Sequence, residues 1–449
     1  MWLAVAKGQR ALGATKSDGT ALISEAQIKQ LEENVSNINI EDARKFERIT
    51  LHDVTAHKKA YELQCPLAAG ILHLGCTSRA ITDNAELLQI RESLYIVLMK
   101  TANAIQYTTE QAETYKSLLT LGRTHFQPAQ VTTVGRRIAM YGDDLFLALD
   151  ELEHRLKTLS IRGIKGTVGT YTDMLAVFDQ NQEKVDELEK MIAKELGFKE
   201  SLHCIGQTYP RMMDYLISGS LGAVGIACAH FAQDTRLLQG PHEIEEPFEN
   251  AQEGSSAMAY KRNPKNSERI GSLIYRLLGC GIELGTMASQ QWLEGSVNDS
   301  ALRRLAIPEM FFATDAVLDL YMHNMRGIQV HPEIIQRDLD KMLPFMATNL
   351  FILEGVKKGG NRQKLYDLVH KHSQASNLEF YATGTLSLIS RLASDPEFPL
   401  TVNDMNVILQ DRSRFEGGAI AQTEEFVKRA RERIKPYESQ LGYVPKITV

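Results

Sequence analysis

The fold is decided by the stretch at residues 83–98, which reads DNAELLQIRESLYIVL. Its first four residues match a capping box, in which the side chains of Asp83 and Glu86 satisfy the free amides at a helix start. Apolar residues then recur from Leu87 to Leu98 at the spacing of one helix face. This pattern predicts a long helix that begins near residue 84.

Similar amphipathic periods recur along most of the chain. Only 13 of the 449 residues are proline, and few segments alternate as strands do, so long spans are free to be helical. The further predicted helices span Gly135–Thr158, Gln182–Leu196, Met212–Leu238, Glu268–Ser289, Ser300–Asn324 and Gln422–Lys435. Because several exceed 20 residues, we expect an all-α protein built around a long helical bundle.

The composition excludes several classes of protein. Apolar residues make up 43% and charged residues 24%, which fits neither a disordered chain nor a membrane protein. The 50 basic and 56 acidic residues give a net charge of −6, so the basic surface that nucleic-acid binding requires is absent. A small anionic substrate remains possible, since a few arginines in a cleft outweigh a mildly negative surface.

The cysteines and the apolar segments indicate the compartment. Five cysteines without a C-x-x-C pair favour neither a disulfide framework nor a zinc site, and predict a reducing, cytoplasmic location. The N-terminal sequence MWLAVAKGQRALGA has too short an apolar run for a signal peptide and predicts a helix that starts abruptly. The uncharged stretch Tyr215–Gln233 is interrupted by serine, glycine and histidine, which predicts a packed core helix and no membrane span.

Breaks in the helical pattern suggest three domains. Cys65–Asp83 is rich in turn-forming residues, and a second break lies near Gly327–Pro332. We therefore predict an N-terminal helical domain at residues 1–77, a central long-helix bundle at 78–330 and a C-terminal helical domain at 331–449.

The polar segment Gly254–Arg269 reads GSSAMAYKRNPKNSER. Its hydroxyls, amide and cations are the groups needed to hold a carboxylate and to stabilise negative charge that develops on it. The residues alone are equally consistent with a solvated loop that caps a helix from Asn266, with Ser267 and Glu268 in the first turn.

A second polar segment, Gly122–Gln130, reads GRTHFQPAQ and places His125 at a turn before Pro128. Histidine has an ordinary pKa of about 6.5, which suits proton transfer at neutral pH. The alternative is a hydrogen-bonded histidine with a structural role.

Further polar turns surround these two segments. In LHDVTAH, His52 and His57 lie five residues apart, about 140° around a helix, so they cannot share a metal as an i, i+4 pair does. Other polar turns occur at Thr77-Ser78, Gly166–Thr170 and Gly206–Tyr209, and Gln291–Arg304 offers a serine and two arginines suited to a phosphate.

Taken together, these segments resemble the fumarase/aspartase superfamily of lyases, and within it the adenylosuccinate lyases of the animal type. The window Gly254–Glu268 is similar to the superfamily signature GSSxMPxKxNxxxxE, whose many fixed positions rarely arise by chance. The other matching segments run in the same order from about residue 2 to the C-terminus: HDVxAH, AAGIxHLGxTS, THFQPAQxTTVGRR, RGIKGTxGT, GQTY, EEPFE, DSAxRR and LPFMAT.

The resemblance implies a three-domain fold and a homotetramer in which each active site is assembled from three subunits, with no cofactor and no metal. The implied reaction is β-elimination of fumarate from adenylosuccinate to give AMP, and from the succinylated carboxamide ribotide (SAICAR) to give AICAR, in purine biosynthesis.

The resemblance also assigns roles to single residues. Ser255 would be the general base, and Lys261 and Asn263 would hold the carboxylate beside the carbon that loses its proton. His125 would be the general acid, oriented by Glu268 across a subunit boundary. A serine is a poor base unless a cationic loop favours its oxyanion, which the Lys-Arg-Asn group could do. The implied substrate-binding residues are His52, Asp53, Thr77, Ser78, Thr124, Gln207, Arg269, Ser300 and Arg304.

The chain departs from the family pattern at several positions. Ala259 replaces the proline of the signature, and Leu51 and Tyr171 replace a basic residue and a glutamine. The family's Ser-Arg-Tyr substrate contact would precede the first residue of this sequence.

Gly295 stands where the family has an arginine that contacts the nucleotide phosphate. Either one phosphate contact is lost, or the local loop has another shape and uses the backbone freedom of glycine. These departures leave two alternatives to an active lyase of this family: a catalytically impaired paralogue or isoform with an oligomeric structural or regulatory role, and a related lyase that acts on another succinyl adduct.

Overall fold

Helices dominate the computed structural model, which describes residues 1–248 and 252–447. The α-helices are α1 Trp2–Ala11, α2 Glu25–Glu33, α3 Ile40–Thr50, α4 Asp53–Gln64, α5 Ser78–Thr114, α6 Val134–Thr158, α7 Thr172–Val177, α8 Gln182–Glu195, α9 Met212–Gln239, α10 Lys265–Ala288, α11 Ser300–Arg326, α12 Pro332–Met346, α13 Thr348–Lys357, α14 Arg362–Thr383, α15 Leu388–Ala393, α16 Val402–Gln410 and α17 Ala419–Ile434. Short 3₁₀ helices lie at Ala69–Ile71, Arg412–Phe415 and Lys435–Gln440. The predicted helical class is confirmed.

Two small antiparallel sheets interrupt the helices. One is a hairpin of β1 Leu119–Thr124 and β2 Gln127–Thr133, and the other pairs β3 Ile244–Glu245 with β4 Gln329–Val330. These strands were not predicted from the sequence.

The predicted start of the first long helix was wrong. Helix α5 begins at Ser78, so Asp83 lies inside it and does not cap it. The Asp83 side chain is fully buried and accepts a hydrogen bond from the backbone N–H of Tyr209 at 3.0 Å. It also forms an ion pair with Arg211, with 3.3 Å between Oδ2 and a guanidinium nitrogen. A carboxylate that would serve as a cap in an isolated helix is used here as a core contact.

The chain folds into two compact units, each built from three segments. Unit 1 comprises Met1–Leu98, Asp150–Ala223 and Tyr275–Thr314, and unit 2 comprises Met99–Leu149, Val224–Ile274 and Asp315–Val449. The division into residues 1–77, 78–330 and 331–449 therefore stays a prediction.

Each unit has apolar clusters of its own. In unit 1, Ile23, Leu31 and Ile71 are buried together at the N-terminal end of the chain. In unit 2, the C-terminal helices bury a larger cluster that includes Phe351 and Leu392. A third cluster, also in unit 2, consists of Leu121, Leu339 and Leu343, and through it the β1–β2 hairpin packs on α12.

Among the described residues, α9 is the one helix long and apolar enough to span a membrane by length and composition. Of its most apolar window, 61% is buried inside the protein. This burial is typical of a core helix, as predicted for Tyr215–Gln233.

Candidate active site

The signature segment forms an irregular loop in unit 2 that leads into α10. The Ser255 Oγ accepts hydrogen bonds from the backbone N–H groups of Ala257 at 3.3 Å and Met258 at 3.1 Å. The Asn263 Nδ2 donates to the Gly254 carbonyl at 3.0 Å. These contacts join the two ends of the loop and turn Ser255 back over its own backbone.

The loop depends on the glycine at its start. A Cβ at position 254 would lie 1.9 Å from the carbonyl oxygen of Lys261, so only glycine permits this approach of the two backbone segments. The Lys261 side chain is exposed and has no hydrogen bond or ion pair within residues 1–248 and 252–447.

Two glutamates of unit 2 hold the loop and the start of α10. Glu245 pairs with Arg262 at 3.3 Å and with the Nδ1 of His242 at 2.7 Å. Burial acts to raise the pKa of Glu245, but the His242 hydrogen bond and the positive charges of His331 and Arg262 outweigh it and lower the pKa.

Glu246 accepts hydrogen bonds from the backbone N–H groups of Asn266 at 3.1 Å and Ser267 at 2.5 Å. Helix α10 begins at Lys265 and not at Asn266, and it is capped by this distant carboxylate. Glu249, the last residue of the EEPFE segment, lies outside the described residues.

His125 lies at the tip of the β1–β2 hairpin, in a two-residue turn with Phe126. Their φ angles are 51° and 60°, as a type I′ turn requires, although neither is a glycine, asparagine or aspartate. Non-glycine residues at positive φ are strained and persist only where the surrounding structure holds them. Such residues are enriched at functional sites. His125 therefore lies at a turn, as predicted. The two strands that this turn joins were not predicted.

Four of the predicted substrate-binding residues contact one another in unit 1. His52 caps α4, since its Nδ1 accepts from the Thr55 N–H at 3.3 Å, and its Nε2 lies 3.3 Å from Ser78 Oγ. Asp53, in the first turn of the same helix, pairs with Arg304 at 3.4 Å.

A cleft of about 580 Å³ in unit 1 adjoins this group of residues. Its lining includes Asp53, His57 and Thr82. Thr77 is half-buried and immediately precedes α5.

Adjacent arginines at the start of α11 have different environments. Arg303 is buried, donates from Nε to Asp214 at 2.7 Å and pairs with Glu86 at 2.8 Å. Arg304 is 69% exposed, and Ser300 lies one turn before it on the same side of the helix. Of the two arginines in this segment, Arg304 is therefore the one available to a phosphate.

Gln207 is held through its backbone beside Gly295. Its N–H donates to the Glu294 carbonyl at 2.5 Å, and its carbonyl accepts from the Nε of the fully buried Arg162 at 2.7 Å. Gly295 does not have a positive φ, and a Cβ there would lie 3.1 Å from the Cβ of Gln207. The φ angle at this position therefore does not require glycine, while an added methyl group would crowd the Gln207 side chain.

The structure does not join the predicted acid and base through any contact. In the part of the chain that it describes, the side chains of His125, Lys261 and Glu268 are exposed and have no hydrogen bond or ion pair. Thr124 ends β1, while Glu268 and Arg269 lie in the first turns of α10. Across residues 1–248 and 252–447, no group of three or more histidine, cysteine, aspartate or glutamate side chains is placed to hold a metal ion.

Sequence reasoning missed the residues that support these groups. Glu243, Glu245 and Glu246 contact the hairpin, the loop and α10, respectively, and Arg162 holds the backbone at Gln207. The run Glu243–Glu246, with three carboxylates in four residues before the signature, is a signal that could have revealed the three glutamates, and Arg162 lies in the quoted segment RGIKGTxGT.

Comparisons with known proteins give a consistent result. A family model described as "Lyase" matches residues 3–279. The chain is 38% identical to the adenylosuccinate lyase of Schistosoma mansoni over 454 residues, which covers 100% of this chain and 93% of that protein. It is 37% identical to the adenylosuccinate lyase of Schizosaccharomyces pombe, which covers 98% of this chain and 91% of that protein.

Solved structures show the same fold. A 3-carboxy-cis,cis-muconate lactonizing enzyme from Pseudomonas putida superposes with a TM-score of 0.77 at 19% identity, covering 97% of this chain and 93% of the other. A fumarate lyase from a Mesorhizobium species gives a TM-score of 0.78 at 20% identity, covering 95% and 93%. The predicted fumarase/aspartase-like fold is confirmed.

Proposed function

The chain belongs to the adenylosuccinate lyase family, and on that premise we propose that it eliminates fumarate from adenylosuccinate to give AMP. A base removes a proton from the carbon beside a carboxylate, the electron pair forms the carbon–carbon double bond, and the carbon–nitrogen bond breaks as the departing nitrogen gains a proton. The same elimination releases AICAR from SAICAR. The relation to the two adenylosuccinate lyases named above, at 38% and 37% identity over nearly the whole chain, carries this proposal.

The signature loop supplies the groups for proton removal. Ser255 takes the proton, while Lys261 and Asn263 hold the carboxylate as its negative charge grows. Asn263 donates one N–H to Gly254, and its second N–H remains for the substrate. The Ser255 Oγ already accepts two backbone N–H groups, which favour the oxyanion form that the base needs.

His125 donates the proton to the leaving nitrogen. Its exposed position at the tip of a strained turn supports this role, because a general acid must reach the substrate. Glu268 orients His125 from a neighbouring subunit.

The nucleotide is held in part by the residues that unit 1 groups together. His52, Asp53 and Ser78 contact one another or the adjacent Arg304, and Arg304 with Ser300 binds the phosphate. The other contacts to substrate come from Thr77, Thr124, Gln207 and Arg269. We expect no metal or cofactor, because a base, an acid and groups that stabilise the developing negative charge suffice for this elimination.

The protein acts as a homotetramer with shared active sites. Tyr275, Leu278 and Ile282 form an exposed apolar stripe on α10, with Tyr275 83% and Ile282 72% exposed. Such a stripe is typical of a helix that packs against another subunit. The five cysteines are free, which fits a reducing compartment such as the cytoplasm.

The test is the change in absorbance when the purified protein is mixed with adenylosuccinate. Ser255→Ala should lower kcat at least about 100-fold, because loss of a general base typically costs that much. Ser256→Ala is the matched control, since this neighbouring serine is exposed. If the two variants behave in the reverse way, Ser256 is the base; if the unmodified protein shows no turnover of either succinyl substrate, the proposed activity is refuted.

A further inference from the structure

A buried ion pair lies below the turn that carries His125. The guanidinium of Arg123 contacts the Glu243 Oε1 at 2.6 Å, and the Glu243 side chain is only 1% exposed. The same guanidinium lies over the ring of Phe126, 5.3 Å from its centroid, at a distance typical of a cation–π contact. None of the roles given above uses either member of this pair.

The local backbone explains why Arg123 reaches Glu243. The pairing of β1 with β2 shifts register between Gly122 and Arg123, and such a bulge redirects the side chains next to it. Just below the bulge, Leu121 is fixed in the cluster on α12, and its carbonyl accepts a hydrogen bond from Arg137 at 2.6 Å. The base of the hairpin is thereby rigid, and the tip is held by Arg123.

Glu243 is itself held on both sides of its backbone. Its N–H donates to the Leu238 carbonyl at 3.1 Å, and its carbonyl accepts from the His331 N–H at 3.1 Å. Because the backbone of Glu243 is fixed in this way, its carboxylate holds the Arg123 guanidinium in one defined position. The contacts then continue from Glu243 through Arg123 to Phe126, the partner of His125 in the turn.

We propose that Arg123 and Glu243 are positioning residues that fix the strained turn so that His125 reaches the departing nitrogen of the substrate. The proposal rests on the acid role given to His125 under the proposed function. Two adjacent non-glycine residues at positive φ are strained, and they keep this conformation only where surrounding contacts impose it. The guanidinium over Phe126 is such a contact.

The pair is joined by a single hydrogen bond between side chains. The Nε of Arg123 and the Oε2 of Glu243 are buried without partners among the described residues. A lysine at position 123 can therefore keep the bond to Oε1, but it cannot place a planar guanidinium on the ring. Arg123→Lys should retain part of the function that Arg123→Met loses.

The experiment measures kcat and KM for Arg123→Met, Arg123→Lys and Glu243→Gln, with Arg136→Met as the control. Arg136 lies in the first turn of α6 and bonds Gln422 instead. We expect kcat to fall about 10- to 100-fold in Arg123→Met, because a misplacement of about 1 Å has effects of that size. KM should stay within about threefold, since the loss falls on the transition state. Arg123→Lys should recover part of kcat, and the control should match the unmodified enzyme.

A double-mutant cycle with His125→Ala separates this proposal from the role of His125. If Arg123 acts through His125, Arg123→Met should change kcat less than about twofold once His125 is absent. An equal fall in both backgrounds would overturn the proposal, as would full activity in Arg123→Met. If His125→Ala itself keeps its activity, the acid assignment fails instead. Should Arg123→Met not fold because Glu243 is left unpaired, Arg123→Lys and Arg123→Met/Glu243→Gln provide the same cycle.

Discussion

Gly254→Ala tests whether the close approach of the two ends of the signature loop positions Ser255. The added Cβ would lie 1.9 Å from the Lys261 carbonyl oxygen and 3.3 Å from the Phe248 ring. Contacts below 3.0 Å essentially never occur for a Cβ, so the two backbone segments must separate by about 1.1 Å or more. The hydrogen bond from Asn263 to the Gly254 carbonyl cannot survive that movement unchanged.

This separation of the two backbone segments is large enough to lower kcat measurably. Misplacing a catalytic group by about 1 Å costs on the order of 100-fold, so kcat for adenylosuccinate should fall by about that factor. The melting temperature should change little, because the loop is largely exposed. The assay is the absorbance change at saturating substrate, paired with thermal unfolding by circular dichroism.

Gly240→Ala is the matched control. Gly240 also lies in unit 2 without a positive φ, and the atom nearest to an added methyl group would be the Leu237 oxygen at 3.5 Å, an ordinary contact. A Gly254→Ala enzyme whose kcat stays within about threefold of the control would refute the idea that the Gly254–Lys261 approach sets the position of Ser255.

Substitutions at two further positions test unit 1. Asp83→Asn removes the buried negative charge that pairs with Arg211, and it should lower the free energy of unfolding by about 1.5–3 kcal/mol. The change should appear as a lower midpoint of thermal unfolding, and an unchanged midpoint would contradict this prediction. Gly295→Ala should raise KM slightly, because its methyl group presses on Gln207, whereas Gly295→Arg also adds a charge for the phosphate. KM for the arginine variant should lie at least about tenfold below that of the alanine variant, at equal kcat.

The helices could be located from the sequence because their period repeats over many turns. Predicted and observed bounds of α9 and α11 agree within a few residues. The start of α5 could not be found, since whether Asp83 caps a helix or pairs in the core depends on Arg211, which is 128 residues away. Local patterns carry no information about such a partner.

Neither the β1–β2 hairpin nor the different environments of Arg303 and Arg304 could be predicted from the sequence. Pro128 lies within β2, and a proline inside a short polar segment is ordinarily evidence against a strand. Ser300, Arg304 and Gln207 were predicted from motifs, but no motif shows that Arg303 belongs to the buried network and Arg304 to the surface. The spacing of residues along the sequence shows which of them share one face of a helix. The packing of other elements against the helix decides which face is buried.

The residues of the candidate site differ in burial and in the number of contacts that their side chains make within the chain. Arg162 and Arg303 are buried and bonded, whereas His125, Lys261 and Glu268 are exposed and have no side-chain partner among the described residues. A general acid works only when it is held near its productive position, so on the proposed function we expect these three side chains to gain their partners from substrate or from a neighbouring subunit.

If a neighbouring subunit supplies the missing contacts, activity must depend on assembly. Specific activity should then fall on dilution, over the same concentration range in which light scattering shows the tetramer to dissociate. Glu268→Gln should lower kcat without moving that range, because Glu268 would contact His125 of a neighbour and not the apolar stripe at Tyr275 and Ile282. A monomer that keeps full specific activity would show that one chain completes the site by itself, and the orienting role of Glu268 across a boundary would have to be abandoned.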